Sequence, residues 1–300
     1  MLRLFRLPNL VLLAIMQAAV RVCVAVPAVG LRAWEAYYSE TNFWLGVMMT
    51  AAAAASGYVV NDLYDLDTDQ INKPSRVVVG KLLSVRHTWA VYAALWVVVV
   101  ACSAALAMSH TILGWYGLLP TALLWLYAAY LKRTPFVGNL LVASLTAWAV
   151  AFPLFPLLEA PPTVWANLAG KLGLAYIAFA FVANLWREVV KDLEDVEGDA
   201  MAGCQTLPVV WGMRKTQYLA LALGAGFVVL TAALLFVLYN AGAVLAFVVG
   251  VSLLLCPSLF ALYLLKEAEE PTEYNLVSSI IKGIIAVGLL LLPLSLLHMG

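Results

Sequence analysis

Long apolar stretches alternate with short polar breaks along the 300 residues, and each stretch approaches the ~20 residues that carry a helix across a bilayer. Nine runs are predicted as spans: Pro8 to Pro27, Phe43 to Val60, Trp89 to Met108, Leu113 to Tyr130, Leu140 to Leu158, Leu172 to Val190, Tyr218 to Tyr239, Val244 to Leu265 and Leu276 to Leu297. The breaks shrink to a few residues near Ser109 and Asn240 and are longest after the second and sixth runs. Hydrocarbon offers no partner to backbone N–H and C=O groups, so runs of this length are helices. The pattern predicts an all-α, polytopic membrane protein of nine transmembrane helices. Arg3 and Arg6 precede the first run, as they would in a cleaved leader. Asn9, Gln17 and Arg21 interrupt that run, so it is read as a retained span.

Composition strengthens this picture. The chain is 64% hydrophobic and 11% charged, with a mean hydropathy of +0.95, which lies outside the range of soluble domains. Formal net charge is zero, so no overall field argues for nucleic acid; the expected surroundings are membrane lipid. Basic residues stay preferentially in the cytoplasm. With the N-terminus cytoplasmic, one side collects Arg3, Arg6, Lys73, Arg76, Lys81, Arg86, Lys132, Arg133, Arg187, Lys191, Arg214, Lys215 and Lys266, and the other receives Arg32 and Lys171. That asymmetry predicts N-terminus in, C-terminus out, in a plasma (inner) membrane. The four cysteines are scattered without a CxxC and read as small apolar fillers. His87, His110 and His298 stand apart at span ends and suggest no metal site.

One acidic phrase occurs twice. Asp62, Asp65, Asp67 and Asp69 recur in spacing as Asp192, Asp195, Glu197 and Asp199, 130 residues later. Each copy closes the second span of a four-span group, which predicts a pseudo-repeat over residues 1–135 and 136–265, with a ninth helix at 276–297. At 100° per residue, Asp62, Asp65 and Asp69 fall within about 60° of one another, as do Asp192, Asp195 and Asp199. Extended into the membrane, the stripes reach Tyr58 in the first copy and Glu188 and Asn184 in the second. Polar groups inside a span are costly and usually functional. If the stripes face each other, each close carboxylate pair repels by roughly 4 kcal/mol at 4 Å and an effective dielectric of 20. Such a cluster calls for cations, and hard oxygens without His or Cys indicate Mg²⁺ or Ca²⁺. Mg²⁺ is commonly held by one or two carboxylates together with substrate phosphates. Two acidic motifs bracketing a Mg²⁺-bound diphosphate is the economical chemistry. Solvated juxtamembrane acids are the plainer reading for one phrase, but two matched phrases disfavour it.

These residues resemble the UbiA-type intramembrane prenyltransferase superfamily. Asn61-Asp62-x-x-Asp65-x-x-x-Asp69-x-x-Asn72-x-Pro74-x-Arg76 is similar to the first aspartate motif of that family, and Asp192-x-x-Asp195-x-x-x-Asp199 to its second. Lys132 and Arg133 in Tyr127-x-x-x-Leu131-Lys132-Arg133-x-Pro135-x-x-Gly138-Asn139, and Gly203-x-x-Thr206-Leu207-Pro208, add to the likeness. The resemblance implies a helical bundle around a central cavity open sideways to lipid, with Mg²⁺ holding an isoprenyl diphosphate. It assigns Asn61, Asp62, Asp65, Asp69, Asp192, Asp195 and Asp199 to the metals and Arg76, Lys132 and Lys191 to the diphosphate. Asp65, Asp195 and Lys132 would then carry the chemistry. One departure is visible: where the family commonly has Pro after the equivalent of Arg76, this chain has Val77.

Within the superfamily, residues 187–199 most resemble geranylgeranylglyceryl phosphate geranylgeranyltransferases, which implies a geranylgeranyl diphosphate donor and a lipophilic glyceryl phosphate acceptor. Enzymes that prenylate hydroxybenzoate- or naphthoate-type acceptors share parts of the string. A cation-coupled secondary transporter is the rival of another class. Its acids would sit near the midplane in broken helices, whereas these lie at the rim beside Lys and Arg. Gln17 and Arg21, one turn apart inside the first span, are candidates for gripping an anionic acceptor, with Asn184 and Glu188. A structural pair with a neighbouring helix, or snorkelling, is the favoured reading for Arg21. Lys282, early in the ninth span, reads the same way.

Overall fold

The computed structural model describes residues 4–66 and 78–296. Eight helices are long and apolar enough to cross a membrane: α1 (Leu7–Val29), α2 (Glu40–Tyr64), α3 (Val85–Ala107), α4 (Thr111–Ala129), α5 (Val137–Leu154), α6 (Leu168–Glu194), α7 (Met213–Asn240) and α8 (Val244–Glu267). The last expected span corresponds to α9 (Pro271–Gly288), continued after a turn by Leu291–Leu296. It falls outside the set of eight because Glu273, Asn275 and Lys282 dilute its apolar content. Among the described residues the one β-type pairing is an isolated bridge between Val79 and Leu83.

Local sequence sets the helix ends. Ser39 Oγ accepts from Asn42 N at 3.1 Å, Ser84 Oγ from His87 N at 3.3 Å and Asn167 Oδ1 from Gly170 N at 2.8 Å. Each bond satisfies an amide that the first helical turn leaves open. At α9 a reciprocal capping box between Glu270 and Glu273 does this, with Pro271 in the first turn. Two spans carry a wide π turn just before a proline, Arg21–Ala25 before Pro27 and Val251–Leu255 before Pro257. Proline has no N–H and its ring crowds the carbonyl four residues back; the wider turn absorbs that misfit without breaking the span.

α2 and α6 are the two central helices. α2 packs against α1, α3 and α4, and α6 against α5, α7 and α9. Without a hydrophobic drive between helices in lipid, close packing relies on small residues. A Cβ on Gly46 would sit 1.8 Å from Phe152 Cζ, and one on Gly117 2.4 Å from Met49 Cγ, so both glycines admit a large partner side chain. Two helix starts share a positive φ. The residues before α1 and α5, Arg6 and Phe136, are the non-glycine positions of positive φ among the described residues (47° and 65°), and they lie 130 positions apart.

Candidate active site

The aspartate motifs lie where α2 and α6 end, and both chains bend in the same way. Asp65 has φ −95° and ψ 5°, and Asp195 has φ −94° and ψ 6°. Each amide donates to the carbonyl four residues back, Asn61 O and Lys191 O, at 2.9 Å. The continuous helical stripe expected for the second motif is therefore broken at Asp195, and a short helix, Val196–Met201, starts anew. Register survives the break, because Asp199 N still donates to Asp195 O at 2.9 Å.

Asp62, Asp65, Asp192, Asp195 and Asp199 all line one cavity of about 1230 Å³. Asn61, Lys132, Lys191, Asn184 and Glu188 line it too. Asp69 and Arg76 lie outside the described residues. Away from the aspartates the wall is largely apolar and aromatic, with Tyr116, Trp148, Tyr176 and Phe179, and carries Arg187 and Lys282 as well. From Asp65 to Thr50, another lining residue of α2, the cavity runs about 22 Å at ~1.5 Å per residue.

Cations and amides hold the carboxylates. Lys132 Nζ pairs with Asp65 Oδ1, and Asn61 Nδ2 donates to Asp65 Oδ2 at 2.7 Å. Arg6 Nη2 reaches Asp62 Oδ1 at 3.3 Å, with its guanidinium carbon 4.7 Å from the centre of the Tyr58 ring. Asn139 Nδ2 donates to Asp192 Oδ2 at 2.9 Å. Burial draws the Lys132 ammonium down to about 8, with the nearby Cys204 and Asp199 acting in the opposite direction. Burial also pushes the Asp199 carboxyl up, and the nearby Asp195 charge adds to it.

Other candidates sit elsewhere. Arg21 places its guanidinium on Glu40, with Nη1 to Oε2 at 2.8 Å, over the adjoining rings of Trp34 and Phe43. Gln17 is fully buried just behind the cavity wall, donating to Ala149 O at 3.0 Å and accepting from Thr50 Oγ1 at 2.9 Å. Neither is a lining residue of the cavity. Both have their polar groups satisfied by neighbouring helices, which is what a buried polar side chain in lipid requires. Arg6 was missed as a site residue, because in sequence it is indistinguishable from a topology-setting charge. Asn139 had a signal, since it ends the Lys132 to Asn139 string and lies 130 residues after Asn9, whose Nδ2 lies 3.4 Å from the Tyr58 hydroxyl.

The donor set decides what kind of ion the cavity suits. Among the described residues no three His, Cys, Asp or Glu side chains converge tightly enough to hold a metal by themselves. Six carboxylates and three side-chain amides nevertheless share one cavity with basic side chains. That set fits Mg²⁺ shared between protein carboxylates and substrate phosphate oxygens, and it does not fit a closed all-protein site.

Fold and site together define a polytopic α-helical membrane protein that presents two acidic helix ends and a group of cations to one largely apolar cavity. The model of the UbiA prenyltransferase family matches residues 20–280, and the chain belongs to that family. It is 34% identical over 231 residues to the digeranylgeranylglyceryl phosphate synthase of Thermococcus gammatolerans, covering 76% of each chain. Among solved structures it resembles one of a digeranylgeranylglyceryl phosphate synthase, with TM-score 0.66 at 22% identity over 97% of this chain and 95% of that one. It also resembles a UbiA homologue from Archaeoglobus fulgidus bound to GPP and Mg²⁺, with TM-score 0.58 at 19% identity over 95% and 98%.

Proposed function

We propose that this protein transfers a geranylgeranyl group from geranylgeranyl diphosphate to geranylgeranylglyceryl phosphate, with Mg²⁺ as cofactor. The observation that carries the reading is that both aspartate motifs and Lys132 line one cavity whose remaining wall is largely apolar. The similarity to the Thermococcus gammatolerans synthase supports the acceptor, and the GPP and Mg²⁺ in the Archaeoglobus fulgidus homologue support the donor and the metal.

Asn61, Asp62, Asp65, Asp192, Asp195 and Asp199 would hold Mg²⁺, together with Asp69. When bound, Mg²⁺ supplies positive charge against the diphosphate oxygens. Lys132 and Lys191, with Arg76, stabilise the negative charge that grows on the leaving group, and electrostatic stabilisation of this kind usually contributes most to catalysis. The C1–O bond of the donor breaks to give diphosphate and an allylic cation. An acceptor hydroxyl oxygen forms the new C–O bond and loses its proton. The aromatic wall shelters the cation, at about 0.5 to 2 kcal/mol per well-placed ring, and excludes water. The cavity's depth of about 22 Å at ~1.5 Å per residue leaves room for a long prenyl tail.

The charge asymmetry between loops supports a cytoplasmic N-terminus and a cytoplasmic active site in the plasma membrane, with α9 as a ninth span. The shared bends at Asp65 and Asp195 and the positive φ at both Arg6 and Phe136 support a duplicated four-helix unit over residues 1–135 and 136–265.

One experiment tests the function. Purified protein in detergent, given labelled prenyl diphosphates of several lengths and a panel of acceptors, should release diphosphate only with Mg²⁺ and yield digeranylgeranylglyceryl phosphate by mass spectrometry. A prenylated hydroxybenzoate or naphthoate as the product would replace this acceptor, and cation-coupled transport without turnover would replace the enzyme.

A further inference from the structure

Two of the cavity's basic side chains lie deeper than the aspartates: Arg187 on α6 and Lys282 on α9. Their helices pack against each other. At one end Asn275 Nδ2 and Ser278 Oγ donate to the Glu194 carboxylate at 2.6 and 3.3 Å, and at the other Tyr176 OH donates to Gly288 O at 2.8 Å. These ties run the helices antiparallel. Arg187 is seven residues from Glu194 and Lys282 seven from Asn275, so both stand about 10 Å from the first tie at ~1.5 Å per residue. They share one level, roughly 12 Å farther into the bundle than Asp195 on the same rise.

Charge at that level does not balance. At that level the cavity is lined by two basic side chains and one carboxylate, Glu188, whose Oε1 accepts from Arg187 Nη1 at 3.0 Å. Arg187 Nε is buried without a hydrogen-bond partner, and among the described residues Lys282 has no ion pair. A net positive charge within a spanning helix is costly and calls for an anion. A guanidinium fork beside an ammonium suits phosphate. The donor's diphosphate has its own cations, Lys132 and Lys191, at the level of the aspartates.

We propose that Arg187 and Lys282 form a second anion subsite, which holds the phosphomonoester of the acceptor lipid apart from the donor's diphosphate. This rests on the glyceryl phosphate reading of the acceptor. A glycerol phosphate gripped there keeps its hydroxyl only a few bonds away, free to turn toward the aspartate end where the donor's C1 lies. Lys282 becomes a positioning residue rather than a snorkelling one, and Glu188 holds the Arg187 fork in place.

The test uses the full chain in neutral phosphatidylcholine nanodiscs with geranylgeranyl diphosphate. The acceptor is either geranylgeranylglyceryl phosphate or its dephosphorylated alcohol. Arg187→Gln and Lys282→Gln are expected to raise KM for the phosphorylated acceptor about 10- to 100-fold, the range for losing a charged hydrogen bond. The preference in kcat/KM for the phosphorylated over the dephosphorylated acceptor should fall by a similar factor, and Lys282→Arg should restore most of it. An unchanged KM, or equal losses on both acceptors, overturns the subsite. Binding of radiolabelled geranylgeranylglyceryl phosphate without donor separates the two readings. If the unmodified protein binds it through these residues yet makes no ether, the synthase reading fails and the subsite stands. Absent binding, or binding indifferent to both substitutions, overturns the subsite. So does a loss seen only when anionic lipid is added to the nanodiscs, which would assign the pair to membrane headgroups.

Discussion

The aspartate ends of α2 and α6 are built on the same backbone and answered by different chemistry. Asp65 and Asp195 bend the chain alike, and Asn61 and Lys191 accept from their amides at the same distance. Around α2 the carboxylates meet cations, Lys132 on Asp65 and Arg6 on Asp62. Around α6, Asp192 meets the neutral amide of Asn139, and a further carboxylate, Glu188, occupies the place that Tyr58 holds 130 residues earlier. One local device thus serves two electrostatic settings. At the first end two carboxylates are paired with basic side chains, whereas at the second Asp192 is held by a neutral amide.

Four measurements press on that difference. Asp65→Asn and Asp195→Asn should each lower diphosphate release by at least about 10³-fold, since either removes charge that positions the leaving group. Normal elution of both variants on size-exclusion chromatography would show the loss to be chemical, and full activity in either would remove its end from the site. Lys132→Met comes next, with kcat down by about 10²-fold and a smaller change in KM for the donor, the pattern for a contact that strengthens in the transition state. Asn139→Ala should raise the half-saturating Mg²⁺ concentration about tenfold, as loss of an outer partner of a metal ligand does. At the matched place in the first half, Asn9→Ala should move it less than about threefold, because its bond to Tyr58 is long and touches no carboxylate. Equal effects at both positions would erase the asymmetry. Smallest is Arg21→Met, expected to leave the acceptor KM within about twofold and to lower Tm by roughly 2–4 °C, because the Arg21–Glu40 pair is partly exposed. A large rise in acceptor KM would return Arg21 to the site.

Much of the architecture was legible because lipid is an exacting solvent. Run length and apolarity placed α1 to α8 to within a few residues, and the twin spacing of Asp62, Asp65, Asp192 and Asp195 marked the acidic ends of α2 and α6. α9 was harder, since Glu273, Asn275 and Lys282 blur its signal and Pro271 starts it five residues before the expected Leu276. The side chains around the motifs were harder still. Sequence left Arg21 between a structural pair and an acceptor contact and read Arg6 as a topology signal; the structure ties Arg21 to Glu40 and Arg6 to Asp62.

Alone, the amino-acid sequence determined which segments cross the membrane and where carboxylates collect, because spanning length, hydropathy and helical spacing are local properties of the chain. Only the tertiary structure decided that both acidic ends share one cavity and which cation answers which carboxylate. It also decided that Arg187 and Lys282 stand level on neighbouring helices. Those outcomes depend on how helices far apart in sequence pack and turn about their axes, and a charge in low dielectric is defined by its partner as much as by its own residue type.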